Sequence, residues 1–363
     1  MLCIGVMSGT SCDGVDVALV DFGVRQKTLA THFKCYPDHL KATLHKLISE
    51  QSAELSELSQ LDIRLARFYA EVVGELLASQ QIHPHEVSVL GLHGQTIYHD
   101  PDHTHANTIQ WGSAAMVAAL TGIDTVAEFR QMDVALGGQG APLAPAFHQH
   151  LLRLIKRPAA ILNLGGIANL TVRKGQHLIG FDTGPANCLL DGWCARHLGV
   201  DLDSGGQWAA QGQVIADLLS QLLADPYFQR QPPKSTGREL FNLEWLDDML
   251  ADRQYRAVDV QRTLLALTAK SVAAALEATE VVVDEVYVCG GGVHNSALMN
   301  ALSDELSVPV LSTASLGVAP DDVEAVLMAW LAWQNSQRMQ TDLRAVTGAA
   351  QAHVYGVLHK SIR

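Results

Sequence analysis

The chain has 363 residues, 48% hydrophobic and 17% charged, with a formal net charge of −13. That length suits two domains, and the composition, free of low-complexity tracts, excludes a disordered chain. The acidic balance offers no basic face to a nucleic acid, and no apolar run approaches a membrane span, the densest being Ala325 to Trp333. No basic residue precedes Arg25, so no secretory signal is expected. The six cysteines (Cys3, Cys12, Cys35, Cys188, Cys194, Cys289) show no C-x-x-C, and reduced thiols in a cytoplasmic protein are the expectation.

Residues 1 to about 36 read as three strands. Ile4 to Met7 enters, and Val15 to Val20 leaves, a turn of small residues: Gly9, Thr10, Ser11, Cys12, Asp13, Gly14, Val15 and Asp16. Thr28 to Tyr36 is the third strand. A tip rich in glycine and hydroxyls presents the N–H donors that wrap a phosphate chain, although turns favour Gly, Ser and Asp in any case. Helical patterns follow over 38–50 and 54–80, where Leu55, Leu58, Leu61, Leu65, Phe68 and Val72 recur at three- and four-residue spacing. Val87 to Leu92 is a strand running into His93-Gly94-Gln95. A strand at Asn107–Gln110, a helix over Trp111–Leu120, a loop at Gly137–Pro142 and a helix to about Ile155 complete the half.

The second half repeats the scheme. Ala159–Asn163, Ala168–Arg173 and Gln176–Phe181 read as three strands, the first two joined by another glycine turn. A helix begins near Pro185, whose fixed φ suits a first turn. Helices are predicted over 208–224, 242–252 and 259–279, then a strand Glu285–Cys289, a turn Gly290-Gly291-Gly292, a helix Asn295–Leu306, a strand Val308–Leu311 and a helix Asp322–Trp333. The stretch 225–240, with Pro226, Pro232, Pro233 and Gly237, reads as an ordered flap. The result is an α/β chain of two similar domains around a central cleft: 1–150 joined by 335–363, and 151–334.

Several sites are excluded. No Gly-Lys-Ser/Thr triplet occurs, so this is no P-loop. No G-x-G-x-x-G opens a helix after a strand, which removes the dinucleotide and protein-kinase loops. His93, His99, His103 and His105 fit no zinc spacing and read as solvated loop histidines.

The plan resembles the actin-like ATPase (ribonuclease H-like) fold shared by sugar kinases, the Hsp70 ATPase domain and actin. Seven motifs in order narrow it: Met7–Ser11, His93–Thr96, Gly137–Leu143, Asn163–Asn169, Gly180–Pro185, Pro232–Asn242 and Cys289–Asn295. Together they resemble the anhydro-N-acetylmuramic acid kinases over nearly the full chain. Ala186, Leu202 and Glu128 depart from the pattern, which favours Gly, a nearby Lys and Asp at those places. The resemblance implies that ATP and water convert 1,6-anhydro-N-acetylmuramic acid to N-acetylmuramic acid 6-phosphate in peptidoglycan recycling. The alternative is an ATPase of the same fold acting on another sugar, or as a chaperone or filament protein.

On that resemblance Asp182, after the apolar run Leu178–Phe181, is the candidate base for the water attacking C1; it reads equally as a cap or turn carboxylate for the next helix. Gly9 to Asp16 would wrap the ATP phosphates with Asn163, Gly165 and Gly166 as the matching hairpin, and Gly290, Gly291 and Gly292 would pass the adenosine. Asp13 and Asp16 would meet Mg²⁺ through water, or serve as turn residues. His93, Gln95, Arg130, Asp133 and Glu324 are the candidate sugar contacts. Arg130 suits the lactyl carboxylate or an internal ion pair with Asp133 or Glu128. Glu324 reaches the ligand or favours its helix N-terminus. No nucleic acid or membrane partner is expected, and a homodimer is allowed.

Overall fold

The strands in chain order are β1 (Leu2–Met7), β2 (Gly14–Phe22), β3 (Gln26–Cys35), β4 (Val87–Leu92), β5 (Gln95–Asp100), β6 (Asn107–Trp111), β7 (Thr125–Ala127), β8 (Ala159–Leu164), β9 (Ile167–Lys174), β10 (His177–Pro185), β11 (Glu285–Cys289), β12 (Val310–Ser312) and β13 (Val357–His359). The α-helices are α1 (Asp38–Glu50), α2 (Leu55–Ser79), α3 (Ala114–Thr121), α4 (Phe129–Ala135), α5 (Ala144–Arg153), α6 (Asn187–Leu198), α7 (Ala216–Leu223), α8 (Leu243–Leu250), α9 (Ala257–Ala278), α10 (Ser296–Leu306), α11 (Val323–Ser336) and α12 (Arg344–Thr347). The computed structural model describes residues 1–363 except Arg25, Leu154, Gly175, Gln176, Pro233, Asp252 and Arg363. Gln176, the expected first residue of β10, therefore lies outside the described residues.

Two units form, one of residues 1–147 with 322–363 and the other of 148–321. The first holds a sheet in the order β13-β7-β4-β1-β2-β3. In it β1, β2 and β3 are antiparallel neighbours, β1, β4 and β7 run parallel, and β13 closes the edge antiparallel to β7. The second holds β10-β9-β8-β11-β12. There β8, β9 and β10 are antiparallel and β8, β11 and β12 parallel. Read in chain order, both sheets follow one plan: an antiparallel three-strand meander, then two parallel strands added beside its first strand. Only strands reached by a crossover can be parallel, which is why helices separate the later strands.

The core of the first unit is built from alternate residues of β1 and β2 and one stripe of α2, including Leu61, Leu65, Phe68, Tyr69, Val72 and Leu76. The second is organised on α9, which packs on β9 and β10 and buries Val260, Leu264, Leu265, Val272 and Leu276.

Helix α11 corrects the expected domain boundary. α11 was placed in the second domain, yet it packs on β1 and β4. The reason is a floor without side chains. Gly5 of β1 and Gly91 of β4 are register partners, with Ala18 of β2 beside Gly5. A Cβ on Gly5 would overlap the Ala325 carbonyl oxygen, and one on Gly91 the Met328 carbonyl oxygen. The helix backbone therefore rests on the sheet backbone. The first unit also contains β5, β7, α4 and β13, which the sequence did not reveal; β7 and β13 are three residues each, too short for a period.

Gly91→Ala is expected to cost about 1–3 kcal/mol or more by forcing α11 off the sheet, seen as a lowered thermal midpoint. Gly74→Ala is the control: it lies in α2 with nothing within 4 Å of an added Cβ, and should raise stability by about 0.5–1 kcal/mol.

Candidate active site

In the first unit the glycine turn is shorter than its motif. The loop spans 8–13, and Gly14, Val15 and Asp16 already belong to β2, where they pair with Cys35, Lys34 and Phe33. Gly14 is needed there because a Cβ would overlap the Lys34 carbonyl oxygen, and Val15 is buried. The turn proper closes with Cys12 N–H donating to Gly9 O at 3.2 Å, and Cys12 takes φ 55°. A Cβ on Gly9 would meet nothing nearer than Ser11 Oγ at 3.7 Å, so the fold does not require that glycine. Asp13 points outward and pairs with Lys41 Nζ at 2.7 Å, which holds its carboxyl below the usual range.

A buried polar network supports this turn from behind, and the sequence did not disclose it. Ser8 Oγ lies 3.3 Å from Tyr69 Oη and donates to Gly94 O at 3.1 Å. Tyr36 Oη lies 3.1 Å from Tyr69 Oη and donates to Gln95 Oε1 at 3.3 Å. Gln95 Nε2 then donates to Gly9 O at 3.0 Å. Gln95 has no exposed surface. It is therefore corrected from a sugar contact to a prop for the turn.

His93, Arg130 and Asp133 form a second connected set. His93 is 5% exposed at the end of β4 and lies against Gly94 O through Nδ1 at 2.7 Å. Arg130 Nε–H donates to its Nε2 at 2.8 Å, so the ring is neutral with the proton on Nδ1. Burial, with the Arg130 charge behind it, pushes His93 down to about 3. His93 is not the solvated loop residue expected, and His99 is exposed as expected but lies in strand β5, where its Nδ1 meets Thr108 Oγ1 at 2.9 Å. Arg130 also donates from Nη1 to Gly140 O at 2.9 Å, which leaves Nη2 without a partner among the described residues.

Asp133 is fully buried and its oxygens are spent inside the fold. Oδ2 accepts from Gly140 N–H at 2.7 Å, and Oδ1 from Thr347 Oγ1 and Tyr355 Oη, both at 2.8 Å. It is corrected from a sugar contact to the anchor of the Gly137–Pro142 loop. No ion pair joins Arg130 to Asp133 or Glu128; Glu128 instead meets His359 at 3.2 Å. Glu128 sits at φ 64° ahead of α4, a conformation Asp tolerates better than Glu. Glu324, in the first turn of α11, keeps solvent access. Desolvation by its surroundings raises its carboxyl, and the Arg130 charge opposes that.

In the second unit the Asn163–Asn169 hairpin turns at Gly165-Gly166, and α6 docks on it. Ala186 and Cys188 N–H donate to Gly166 O, and Asn187 N–H to Gly165 O, at 3.0 to 3.1 Å. This places Ala186 at the helix N-cap, with Asp182 four residues upstream inside β10 rather than at its end. The glycine run after β11 packs on the same hairpin. Gly290 has φ 80°, and its Cβ would come within 2.5 Å of Asn163 Oδ1. What was expected as a plain turn is a short 3₁₀ helix, Gly291–His294. Gly165 and Gly291, like Gly9, have room for a Cβ, with nothing nearer than 3.6 and 4.0 Å.

Asp182 stands where β10 bulges, between its pairing with Asn169 and that of Gly184 with Ala168. A bulge re-aims a strand residue. Oδ2 accepts from Ser235 Oγ and Thr236 N–H, both at 3.0 Å. Oδ1 has no donor among the described residues. Burial raises the Asp182 carboxyl, and the two hydrogen bonds pull it down. It caps no helix.

A family model described as anhydro-N-acetylmuramic acid kinase matches residues 1–361. The chain belongs to that family. It is 46% identical over 361 residues to the anhydro-N-acetylmuramic acid kinase of Coxiella burnetii, covering 98% of this chain and 96% of that one. The Vibrio vulnificus enzyme of that name is 43% identical over 99% of this chain and 98% of its own. The Pseudomonas putida one is 45% identical over 99% of both. Membership makes the protein a kinase, and its two sheets share one strand plan. No described helix is long and apolar enough to cross a membrane.

Asp133→Asn replaces one acceptor oxygen by an amide that repels a buried donor. It should cost roughly 1–3 kcal/mol, measured by denaturant unfolding.

Proposed function

We propose that the protein uses ATP and water to convert 1,6-anhydro-N-acetylmuramic acid to N-acetylmuramic acid 6-phosphate and ADP, in cytoplasmic peptidoglycan recycling. The observation that carries this is Asp182: a partly buried carboxylate at a strand bulge, one oxygen tied down and the other without a donor, in a chain of this family. Asp182 takes a proton from water as the water oxygen bonds to C1. The C1–O6 bond of the anhydro bridge breaks, its electrons go to O6, and O6 attacks the γ-phosphorus as the bond to ADP breaks. A placed base is worth about two to four powers of ten in rate.

Charge on the transferring phosphoryl group is met by aimed N–H donors. The turns at Gly9 and Gly165 suit that task, since nothing within the fold occupies the space a Cβ would fill. Among the described residues no three carboxylates, histidines or cysteines converge as a metal cage. Mg²⁺ fits such a site as an ion carried mainly by phosphates and water, with Asp13 and Asp16 the carboxylates closest in sequence to the turn. When bound it neutralises phosphate charge. Arg130, with Nε and Nη1 anchored and Nη2 left over, is the donor for the lactyl carboxylate, with His93 holding it in place.

Turnover in ¹⁸O-water with rapid quenching should place the label at C1 of the product; label-free product overturns the hydrolytic reading. Asp182→Asn should lower turnover by about two to four powers of ten, with ATP and sugar binding retained in calorimetry. Near-normal turnover would make Asp182 a structural residue. Arg130→Ala should raise KM for the sugar by about one to two powers of ten and leave KM for ATP alone. It should also narrow the preference over an analogue lacking the lactyl group, and an unchanged preference would assign Arg130 to the fold alone.

A further inference from the structure

β10 is the outer strand of its sheet, and the flap that follows α7 supplies what a further strand would. Asp182 N–H donates to Lys234 O at 3.0 Å, and Tyr227 Oη donates to Asp182 O at 2.6 Å. The backbone of Asp182 is thus pinned on the side away from β9. Its carboxylate is pinned as well, and asymmetrically, since both donors, Ser235 Oγ and Thr236 N–H, go to Oδ2. We infer that Tyr227, Lys234, Ser235 and Thr236 form a clamp that presents Oδ1 of Asp182 as the proton-accepting atom, with Ser235 as its positioning residue. This rests on the reading of Asp182 as the base.

The clamp is itself held rigidly. Asp225 accepts from Tyr227 N–H at 2.9 Å and from Trp245 Nε1 at 3.0 Å. Tyr227, Phe228, Phe241 and Trp245 pack edge to face and tilted, with centroids 5.1 to 5.8 Å apart. Lys234 Nζ lies 4.7 Å from the Tyr227 ring centre, with Arg230 at 5.7 Å. Such contacts leave the flap few alternative positions.

The chemistry of the asymmetry follows from the donors. An oxygen already accepting two hydrogen bonds has little affinity for a proton, so the proton from water goes to Oδ1. Those bonds favour the ionised carboxylate, against burial and the Glu239 charge, which both disfavour it. β9 places uncharged Asn169 opposite, and α9 brings the uncharged Ser271 to Gly184 and Thr268 to Pro185. Tyr227 itself is pushed above its ordinary range by burial. Within the flap, the Ser235 hydroxyl is therefore the side-chain group that donates to the base and favours its ionised form.

The test is the pH dependence of kcat/KM for the anhydro sugar in the full chain, with Ser235→Ala and Ser235→Thr beside the wild type. Ser235 is exposed, so its truncation leaves no cavity. Loss of a bond that favours the ionised form raises the carboxyl pKa, so the acid limb should move to higher pH. For Ser235→Ala the shift should be about one pH unit. kcat should fall about tenfold with KM for ATP unchanged, and Ser235→Thr, which keeps a hydroxyl, should restore the limb. A Ser235→Ala limb that coincides with the wild type's overturns the clamp whatever the loss in rate. Failure of the underlying reading shows separately, as turnover retained in Asp182→Asn.

Discussion

In the first unit the arrangement depends on a backbone-to-backbone contact: α11 lying on Gly5 and Gly91. Any side chain there would lift the helix, and close packing tolerates no such gap. Seated where it is, α11 brings the last forty or so residues back to the sheet. Thr347 and Tyr355 then reach Asp133, β13 pairs with β7, and Ser361 N–H and Lys360 Nζ meet Asp124 at 2.9 and 2.7 Å. Asp133 fixes Gly140 and Gly140 fixes Arg130, which also leans on His93. The orientation of a candidate substrate group is thus set by residues more than two hundred positions away in sequence.

The second unit meets a different demand. A carboxylate proposed as a proton acceptor, as Asp182 is, must be partly desolvated yet ionised. Burial alone would neutralise it, and full solvation would leave it ordinary. The bulge in β10 turns Asp182 out of the strand register, and the flap returns two donors to one of its oxygens. His93 shows the opposite use of burial. Its ring is kept neutral so that Nε2 accepts from Arg130. Desolvation has opposite consequences for acid and base groups, and this protein employs both.

The net charge of −13 does not conflict with binding a nucleotide. Phosphates respond to the few dipoles within hydrogen-bond reach, while distant exposed charges are screened over about 10 Å. On the proposed reading, the glycine turns supply those dipoles without side-chain charge.

Periodicity and turn chemistry made the larger elements legible. α1, α2, α9 and α10 fall within a few residues of their predicted spans, as do the two antiparallel meanders, because long apolar stripes and glycine turns are local signals. Seven ordered motifs carried the family. Local signals could not tell that Gln95 and Asp133 face inward, that Gly14 serves packing, or that α11 crosses back to the first sheet. Each of those depends on partners at long sequence separation: Tyr36 and Gly9 for Gln95, Thr347 and Tyr355 for Asp133, Lys34 for Gly14. Lys234-Ser235-Thr236 was visible as a motif, but its attachment to Asp182 was not, since a flap's hydrogen bonds have no period. The sequence by itself determined the duplicated α/β plan and which residue types were available for phosphoryl transfer. Tertiary structure alone decided which of those polar groups stay open and which are consumed in holding the others, because a hydrogen-bond donor or acceptor is committed only when a distant partner arrives to meet it.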